Sequence, residues 1–439
     1  MVAKRPVAPA GCMNDDDVAS SGTIMDPTRL AAICNKIDEY AAGAGGAPMS
    51  GRRVAAICAM FDDRAAAGRT RRNKLRKNLC VDSTRSYKQV GEIGSGTFGA
   101  VVKAVHRKTG LTVAIKTFRR RDGKKVPGDG GVSQLLREAC FLAACGGHPN
   151  LVGLHAVARD PRTKKYSLVM EYAGPSLRRA LRDYVAAHGG AFPEAEARRI
   201  MRHLLTGAEA MHARRIIHRD IKPRNVLVGE EGGGGAVKIC DYGLATVCPA
   251  HKRVGTSWYM APEVLMHRTD YDERADLWSI GCVMAEMLSG EVLFKVDDGD
   301  GNARQLDRMF DVLGTPGVET LQTFAPPFAV GKMLRQLARQ PRPSHQGRLR
   351  ELFPGETLSE EGFDVLKGLL TWNPKERLTA AASLRLPWFT GAVDDPASEI
   401  GATASLSLVR VLTSVLAFLR RMALELIRFS LRLRRKSNI

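Results

Sequence analysis

The chain has 439 residues, of which 44% are hydrophobic and 26% charged. This balance is typical of a folded protein and excludes a chain that is disordered throughout. The length allows one large domain with attached segments. The net charge of +20 predicts attraction to anionic partners, but charge alone does not distinguish nucleic acids, acidic proteins and membrane surfaces.

The cysteine pattern and the apolar runs bear on the compartment. The nine cysteines include no paired C-x-x-C units, so neither a zinc site nor a disulfide framework is predicted. This usage fits a reducing compartment, and we expect a nuclear or cytoplasmic protein that is not secreted. The N-terminus lacks the apolar core of a secretory signal, and no uncharged apolar run is long enough to predict a membrane-spanning helix.

Residues 1–86 are rich in Ala, Gly and Arg and contain a short internal echo. Arg29-Leu-Ala-Ala-Ile-Cys34 returns as Arg53-Val-Ala-Ala-Ile-Cys58, and each copy could form one short helix. Two copies are too few for a solenoid. We therefore predict a weakly structured, partly disordered N-terminal arm.

The arm ends in a cluster of basic residues. Such a cluster is compatible with a nuclear address or a nucleic-acid contact, and equally with a solvated linker. No aromatic-basic module or zinc finger accompanies it, so direct binding of nucleic acid is not expected. The cluster consists of Arg69, Arg71, Arg72, Lys74, Arg76 and Lys77.

From Tyr87 onward the pattern changes to alternating apolar residues broken by glycines, which predicts short antiparallel strands. Beyond residue 176, longer stretches have helical spacing, as in Glu194–His212 and Ala275–Leu288. A β-rich lobe followed by a larger helical lobe predicts a two-lobed α+β domain, here residues 87–389, with a cleft between the lobes.

The sequence Gly94-Ser-Gly96-Thr-Phe-Gly99-Ala-Val101 is a G-x-G-x-x-G-x-V loop. Glycines allow the backbone N–H groups to approach phosphate oxygens. Alone, the pattern also fits a dinucleotide-binding turn or an ordinary hairpin. A dinucleotide-binding turn opens a helix, whereas a second β-rich run follows here. The strand-loop-strand interpretation is therefore favoured.

The β-rich run that follows contains Val113-Ala-Ile-Lys116, which places a lysine within an apolar strand. A buried ammonium group needs an anion, because burial without a partner is costly. Nucleotide phosphates could supply one, and a glutamate on a nearby helix could supply another. Glu138 in Leu135-Leu-Arg-Glu138 is the candidate, although a single helical glutamate is more often a solvated charge.

Two further motifs carry a resemblance to a known family. They are His218-Arg-Asp220-Ile-Lys222-Pro-Arg-Asn225 and Asp241-Tyr-Gly243. Together with the glycine loop, the V-A-I-K strand and Ala261-Pro-Glu263, they stand in the order found in eukaryotic protein kinases. The chain resembles that family over most of its length, and the resemblance implies the two-lobed kinase fold.

The resemblance also implies a role for each motif residue. Asp220 would accept the proton of the substrate hydroxyl, and Lys222 is the choice of kinases that act on Ser and Thr. Lys116 would pair with the phosphates of ATP and with Glu138. The Mg²⁺ ions would be held by Asn225 and Asp241.

The nucleotide contacts implied by the resemblance lie in the glycine loop, the adjoining strands and the hinge. Met170 would lie at the back of the pocket, although it could equally be an ordinary core residue. An inactive pseudokinase scaffold, binding partners through its arm and tail, is the alternative function. The implied contacts are Ile93, Gly94, Ser95, Gly96, Thr97, Gly99, Val101, Ala114, Lys116, Met170, Glu171, Ala173 and Leu227.

Within the family, the chain is most similar to cyclin-dependent kinases, as in Trp258-Tyr259 before the A-P-E motif. The resemblance implies a buried pair between Glu263 and Arg377 and suggests a divergent plant-type member that acts on protein substrates. Only Arg137-Glu138 matches the cyclin-docking motif, so a cyclin-like or other regulatory partner remains open. Because Met260 and Gly255 replace the usual residues, proline-directed specificity is open as well.

The activation segment between Asp241 and Glu263 departs from the family pattern. Arg219 would normally receive a phosphate from this segment, but residues 248–253 contain no Ser or Thr. His251 lies about where the acceptor would stand. We therefore hypothesise that activity does not need phosphorylation at this position, whereas Thr256 is expected to orient Asp220 and Lys222.

The tail, residues 390–439, is apolar and basic with helical spacing. Such a helix could lie on an anionic membrane surface, bind a calmodulin-like partner or pack against the kinase domain. The polar positions that fall on one helical face are Arg410, Ser414, Arg421, Glu425, Arg428, Arg432 and Arg435.

Overall fold

The computed structural model describes residues 27–42, 54, 56–58, 81–96, 99–118, 131–229, 235–268, 270–297, 301–331 and 347–391. The chain divides into two units, residues 1–386 and 387–439. The basic cluster at 69–77, Thr97 and the tail beyond residue 391 lie outside the described residues, so the predictions made for them stay predictions.

The first unit begins with helix α1 and a six-stranded sheet. Strand order in the sheet is β1-β5-β6-β4-β3-β2, in which β1 pairs parallel with β5 and the other neighbours are antiparallel. Helix α2 lies between β4 and β5 in the chain. The elements are α1 (Pro27–Ala42), β1 (Val81–Ser83), β2 (Tyr87–Gly96), β3 (Gly99–His106), β4 (Thr112–Phe118), α2 (Val132–Cys145), β5 (Leu154–Arg159) and β6 (Tyr166–Glu171).

The sheet forms because the alternating apolar residues can share one face. Ala104, Val113, Ile115 and Val169 form a buried cluster with Tyr87. The sheet begins at Val81, six residues before the predicted domain start at Tyr87. Strand β1 has no apolar alternation, so its sequence gives no strand pattern. It is tied to β2 through its aspartate side chain, which accepts a hydrogen bond of 2.8 Å from the Tyr87 hydroxyl.

Helices dominate the chain after β6. The predicted helix Glu194–His212 forms with those bounds, and the predicted Ala275–Leu288 lies within a helix one residue longer at each end. The elements are α3 (Leu177–His188), α4 (Glu194–His212), β7 (Ile216–Ile217), β8 (Val226–Val228), β9 (Val237–Ile239), β10 (Thr246–Val247), α5 (Pro262–Leu265), α6 (Arg274–Ser289), α7 (Gly301–Leu313), α8 (Val318–Phe324), α9 (Leu349–Leu352), α10 (Glu360–Leu369) and α11 (Ala380–Leu384).

The order of elements confirms the predicted α+β class, with a β-rich lobe followed by a larger helical lobe. Helix α6 supplies the centre of the helical lobe, since nearly all of its residues are buried. Two short antiparallel pairs, β7 with β10 and β8 with β9, precede it in the chain. The loops that leave these short strands contain the motif residues.

The described part of the N-terminal arm is more ordered than the composition predicted. The apolar residues of α1 follow the spacing i, i+3, i+4, i+7, which gives the helix one apolar face. The second copy of the echo is helical at residues 54 and 56–58. Corresponding positions of the two copies are buried: Leu30, Ile33 and Cys34 in one, Val54, Ile57 and Cys58 in the other.

The described part of the second unit is helix α12 (Pro387–Thr390), in which Trp388 and Phe389 stack edge to face with ring centroids 4.8 Å apart. Among the helices of the described ranges, we find none with the length and apolarity needed to span a bilayer.

Candidate active site

The glycine loop joins β2 and β3, as the strand-loop-strand interpretation predicted. Gly94 and Gly96 lie on β2, and Gly99 opens β3. Gly99 has φ = 148°, and a Cβ placed on it would lie 1.9 Å from the carbonyl oxygen of Thr117. The close approach of β4 therefore requires glycine at this position. Val101 pairs with Lys116 on β4, which brings the loop next to the lysine.

Three charged side chains from three separate elements meet behind this loop. The Lys116 ammonium on β4 donates to both carboxylate oxygens of Glu138 on α2, at 2.8 and 2.9 Å. It also donates to Oδ1 of Asp241, which follows β9, at 2.7 Å. Lys116 and Glu138 are 5% and 1% exposed, so they form a buried pair of the kind that the sequence predicted.

The ionisation of this cluster follows from burial and mutual charge. Burial lowers the pKa of Lys116, but the two carboxylates outweigh it and raise that pKa above its usual value. Burial raises the pKa of Glu138 to about 7, against the opposing effect of Lys116. Since both Glu138 oxygens accept from the ammonium, the geometry is that of the ionised carboxylate. Burial would also raise the pKa of Asp241, but Lys116 holds it below its usual value.

Gly243 adjoins this cluster, and its lack of a side chain leaves room for the three charged groups. A Cβ on Gly243 would lie 3.2 Å from Asp241 Oδ1, 3.3 Å from Glu138 Oε2 and 3.6 Å from the Lys116 ammonium. A side chain here would crowd all three charged groups. The preceding Tyr242 is buried, and its ring lies 5.4 Å from that of His218. The third position of the D-Y-G motif thus leaves room for the three charged groups to meet.

A second cluster is centred on Asp220. Its Oδ2 accepts from the Lys222 ammonium at 2.8 Å and from Nδ2 of Asn225 at 3.1 Å. Its Oδ1 accepts from the Thr256 hydroxyl at 2.7 Å, and Lys222 also donates to that hydroxyl at 2.7 Å. Thr256 therefore orients both Asp220 and Lys222, as the sequence analysis expected. Each carboxylate oxygen has two lone pairs, so Asp220 retains capacity to accept a proton.

The donor set fits a magnesium ion that is shared with a nucleotide. Within the described ranges, no cluster of three or more His, Cys, Asp or Glu side chains could hold a metal ion. Mg²⁺ is commonly bound by one or two carboxylates together with substrate phosphates. Asp241 supplies a carboxylate, and the Asn225 amide is oriented by its nitrogen, which donates to the Asp220 carbonyl oxygen at 2.8 Å.

The expected nucleotide contacts lie on the strands around the loop. Ala114 on β4 pairs with Met170 on β6, and both are buried. Leu227 on β8 forms a bridge with Ser176, which places β8 next to the segment after β6. Glu171 ends β6, and Ala173 follows this strand. Ile93 on β2 is exposed, and the side chain of Ser95 lies outside the described part of the structure.

Comparison with known proteins identifies this arrangement. The family model for the protein kinase domain matches residues 87–389. The chain belongs to the protein kinase family. It is 44% identical to cyclin-dependent kinase F-2 of Oryza sativa subsp. japonica over 320 residues, which are 71% of this chain and 91% of the relative.

Two other relatives extend this comparison. Cell division control protein 2 homolog 3 of Trypanosoma brucei brucei is 36% identical over 328 residues, covering 71% of this kinase and 94% of the relative. Extracellular signal-regulated kinase 2 of Dictyostelium discoideum is 33% identical over 326 residues, covering 72% and 82%. The prediction of a serine/threonine protein kinase similar to cyclin-dependent kinases is confirmed. The pseudokinase alternative finds no support in these matches.

The activation segment of the kinase begins at Asp241 and ends at Glu263. The Arg219 guanidinium contacts this segment directly, since its Nε donates to the carbonyl oxygen of Leu244 at 2.7 Å. His251 is exposed. Gly255 has φ = 121°, and a Cβ on it would lie 2.4 Å from the Arg219 carbonyl oxygen. Glycine is therefore required beside Thr256 in this conformation.

The predicted pair between Glu263 and Arg377 forms in the interior of the helical lobe. The Arg377 guanidinium donates to both carboxylate oxygens of Glu263, at 2.7 and 3.0 Å. The Glu263 side chain is 2% exposed and the Arg377 side chain 0% exposed. Arg377 also donates to the carbonyl oxygens of Thr371 and Arg274 at 3.0 and 2.8 Å. This bidentate pair fixes the end of the activation segment to the helical lobe.

Asp276 on α6 is a positioning residue that the sequence analysis missed. Its carboxylate accepts from the backbone N–H groups of His218 and Arg219, both at 2.8 Å, and pairs with His212 at 3.1 Å. Burial would raise its pKa, but the hydrogen bond from His212 and the neighbouring histidines hold that pKa below its usual value. An acidic residue within a largely apolar helix needs partners, and that anomaly could have revealed it.

Proposed function

We propose that this kinase transfers the γ-phosphoryl group of ATP, bound with Mg²⁺, to serine or threonine hydroxyls of protein substrates at the site formed by the two clusters. When bound, MgATP supplies the phosphoryl group. Asp220 accepts the hydroxyl proton at a carboxylate oxygen, and Lys222 neutralises charge on the transferred group. Lys116, held by Glu138, pairs with the nucleotide phosphates, while Asn225 and Asp241 hold the metal.

One observation carries this proposal: Asp220 and Lys222 are joined through the Thr256 hydroxyl in a single hydrogen-bonded group. Phosphoryl transfer to a hydroxyl requires an acceptor for the hydroxyl proton and, next to it, a positive charge that neutralises the transferred group. The Asp220 carboxylate is 9% exposed and the Lys222 side chain 20% exposed, so the group is largely shielded but reachable. Such preorganised charges account for much of the acceleration in phosphoryl transfer.

The experiment follows labelled phosphate from ATP to a mixture of Ser, Thr and Tyr peptides while Mg²⁺ is titrated. We expect labelled phosphoserine or phosphothreonine that depends on Mg²⁺. The variant Asp241→Asn should require more Mg²⁺ and lose at least about a hundredfold in kcat. Asp270→Asn, which removes the same charge from a side chain that is 62% exposed, is the matched control. Transfer that is independent of Mg²⁺, or equal in both variants, would contradict the proposal.

The sequence around the acceptor is a finer part of the proposal. Met260 is buried, and its terminal carbon lies 3.6 Å from a Cβ placed on Gly255. An apolar methionine here, where the cyclin-dependent branch has arginine, supports a site without a strict requirement for proline after the acceptor. A library of Ser and Thr peptides tests this directly. A kcat/KM that falls more than about tenfold when proline is replaced would contradict it.

The name of the Oryza sativa relative describes that protein as cyclin-dependent. A cyclin-like partner of this kinase would have to reach α2 beside α1, because α1 already packs against α2. None of the seven cysteines in the described ranges forms a disulfide, which supports a reducing compartment, the nucleus or cytoplasm. Localising the tagged full-length chain in cells would test the compartment, and recovery from the secretory pathway would contradict it.

A further inference from the structure

The N-terminal helix α1 presents a continuous apolar face to α2. Leu30, Ile33 and Ile37 are fully buried, and Cys34 is 6% exposed. These positions follow one another by three, one and three residues, so they lie on one side of the helix. The opposite side is solvated, with Ala32, Asn35 and Glu39 exposed. Helix α1 packs with this apolar face against the kinase domain, and its principal neighbour is α2.

The contact between α1 and α2 involves residues that adjoin Glu138 in the chain. The Arg137 guanidinium forms an ion pair with the carboxylate of Asp38 on α1. Cys34 on α1 lies beside Cys140 on α2. Arg137 and Cys140 are three residues apart and so share one face of α2, and α1 covers this face beside the glutamate that holds Lys116. Any shift of α1 would be transmitted to the position of Glu138.

Helix α1 also touches the activation segment. It contacts β10, residues Thr246–Val247, which follows Asp241 by five residues. Glu138 and Asp241 are the two carboxylates that hold the Lys116 ammonium. One helix therefore lies against both elements that bring these carboxylates together. Residues 248–253 contain no Ser or Thr that could be phosphorylated. A negative charge beside α2 is instead supplied by Asp38, whose carboxylate pairs with Arg137.

We propose that α1 is an activating clamp within the chain, which holds α2 so that Glu138 reaches Lys116. In this role the Asp38 carboxylate gives Arg137 its anionic partner, and the apolar face of α1 occupies the surface of α2. The inference rests on the proposed kinase function and names the regulation of the same site. Asp38 and Ile33 are positioning residues, since they act on the site through α2.

A surface charge swap in the full-length protein tests the clamp without endangering the fold. The side chains of Arg137 and Asp38 are 38% and 53% exposed. Asp38→Arg and Arg137→Asp should each lower kcat about three- to tenfold, since like charges replace the ion pair. The double variant Asp38→Arg/Arg137→Asp should recover to within about twofold of the wild type. Glu39→Arg makes the same charge change on an exposed neighbour and should have no effect.

A second pair of variants tests the apolar contact. Ile33→Glu places a charge on the buried face of α1 and should lower kcat at least about tenfold, because the helix must leave α2 to solvate it. Asn35→Glu adds the same charge to the exposed face and should leave kcat unchanged. Thermal melting accompanies each assay. A loss of kcat with an unchanged melting transition of the kinase domain is the signature of positioning rather than of unfolding.

The outcomes separate this inference from the proposed function. Single charge variants with wild-type kcat, or a double variant no better than the singles, would overturn the clamp while wild-type transfer upholds the kinase. Should Ile33→Glu fail to fold, the charge swap between Asp38 and Arg137 still decides whether α1 acts as a clamp. If the wild type transfers no more phosphate than Asp220→Asn, the proposed function fails, and the clamp fails with it.

Discussion

The two lobes hold their charged residues in different ways. In the helical lobe, Glu263 and Arg377 are sealed from solvent, and Asp276 is likewise buried. In the cluster behind the glycine loop, Lys116 and Glu138 are buried, but the Asp241 side chain is 34% exposed. These three buried residues, which we call the frame, hold the loop His218–Asn225 and the end of the activation segment in place. The cluster behind the glycine loop, the upper cluster, depends on where two separate elements, α2 and the activation segment, place Glu138 and Asp241.

This difference predicts that substitutions in the frame cost stability, whereas substitutions in the upper cluster cost rate. Glu263→Ala should have the largest effect, because it leaves the Arg377 guanidinium buried without its anion. We expect a loss of about 3–5 kcal/mol in the free energy of unfolding, measured by denaturant titration. The double variant Glu263→Leu/Arg377→Met should recover much of it. A free energy of unfolding for Glu263→Ala within about 1 kcal/mol of the wild-type value would contradict this difference between the two groups of charged residues.

Lys116→Met should cost rate more than stability. We expect kcat to fall on the order of a hundredfold or more, because the nucleotide phosphates lose their positive partner. The stability loss should be smaller than for Glu263→Ala, since burial already raises the pKa of Glu138 to about 7 and the carboxyl can take up a proton. Parallel kinetic and melting measurements check both. Equal losses of stability in Lys116→Met and Glu263→Ala would show that the upper cluster depends on its buried ion pair as strongly as the frame does.

The variant Asp276→Asn tests the contribution of this buried carboxylate through the pH dependence of the free energy of unfolding. At pH 7 we expect a loss of about 1–3 kcal/mol, because one acceptor of three hydrogen bonds loses its charge. The folded-state pKa of Asp276 is lowered, so its contribution is present above the unfolded value and is lost as the pH falls through the folded value. The difference between variant and wild type should therefore shrink below about pH 4. A difference independent of pH would contradict this.

His251→Ala should have the smallest effect. His251 is exposed, and surface substitutions usually change stability by less than about 0.5 kcal/mol. We expect kcat within about twofold of the wild type, measured in the peptide assay together with mass spectrometry of the activation segment. A phosphate on Thr256 that activity requires would refute the hypothesis that the segment works without phosphorylation.

The sequence predicted the motif residues and the order of the lobes because each motif is contiguous and its chemistry demands a residue type. Lys116 in a β-branched strand and Asp220 two residues before Lys222 are such cases. It did not predict the docking of α1, because the echo around Leu30 could not indicate which surface would cover the apolar face. Nor did it reveal Asp276, whose partners are backbone N–H groups 57 and 58 residues away. Long-range contacts of this kind leave no local pattern.

The most direct test compares labelled phosphate transfer by the wild type and by Asp220→Asn under single-turnover conditions with saturating MgATP. Asparagine keeps the shape of the side chain and one accepting oxygen, but it cannot accept the hydroxyl proton. We predict that Asp220→Asn binds nucleotide as tightly as the wild type and transfers phosphate at least about a hundredfold more slowly. Equal transfer rates in the two proteins would contradict the assignment of the catalytic site.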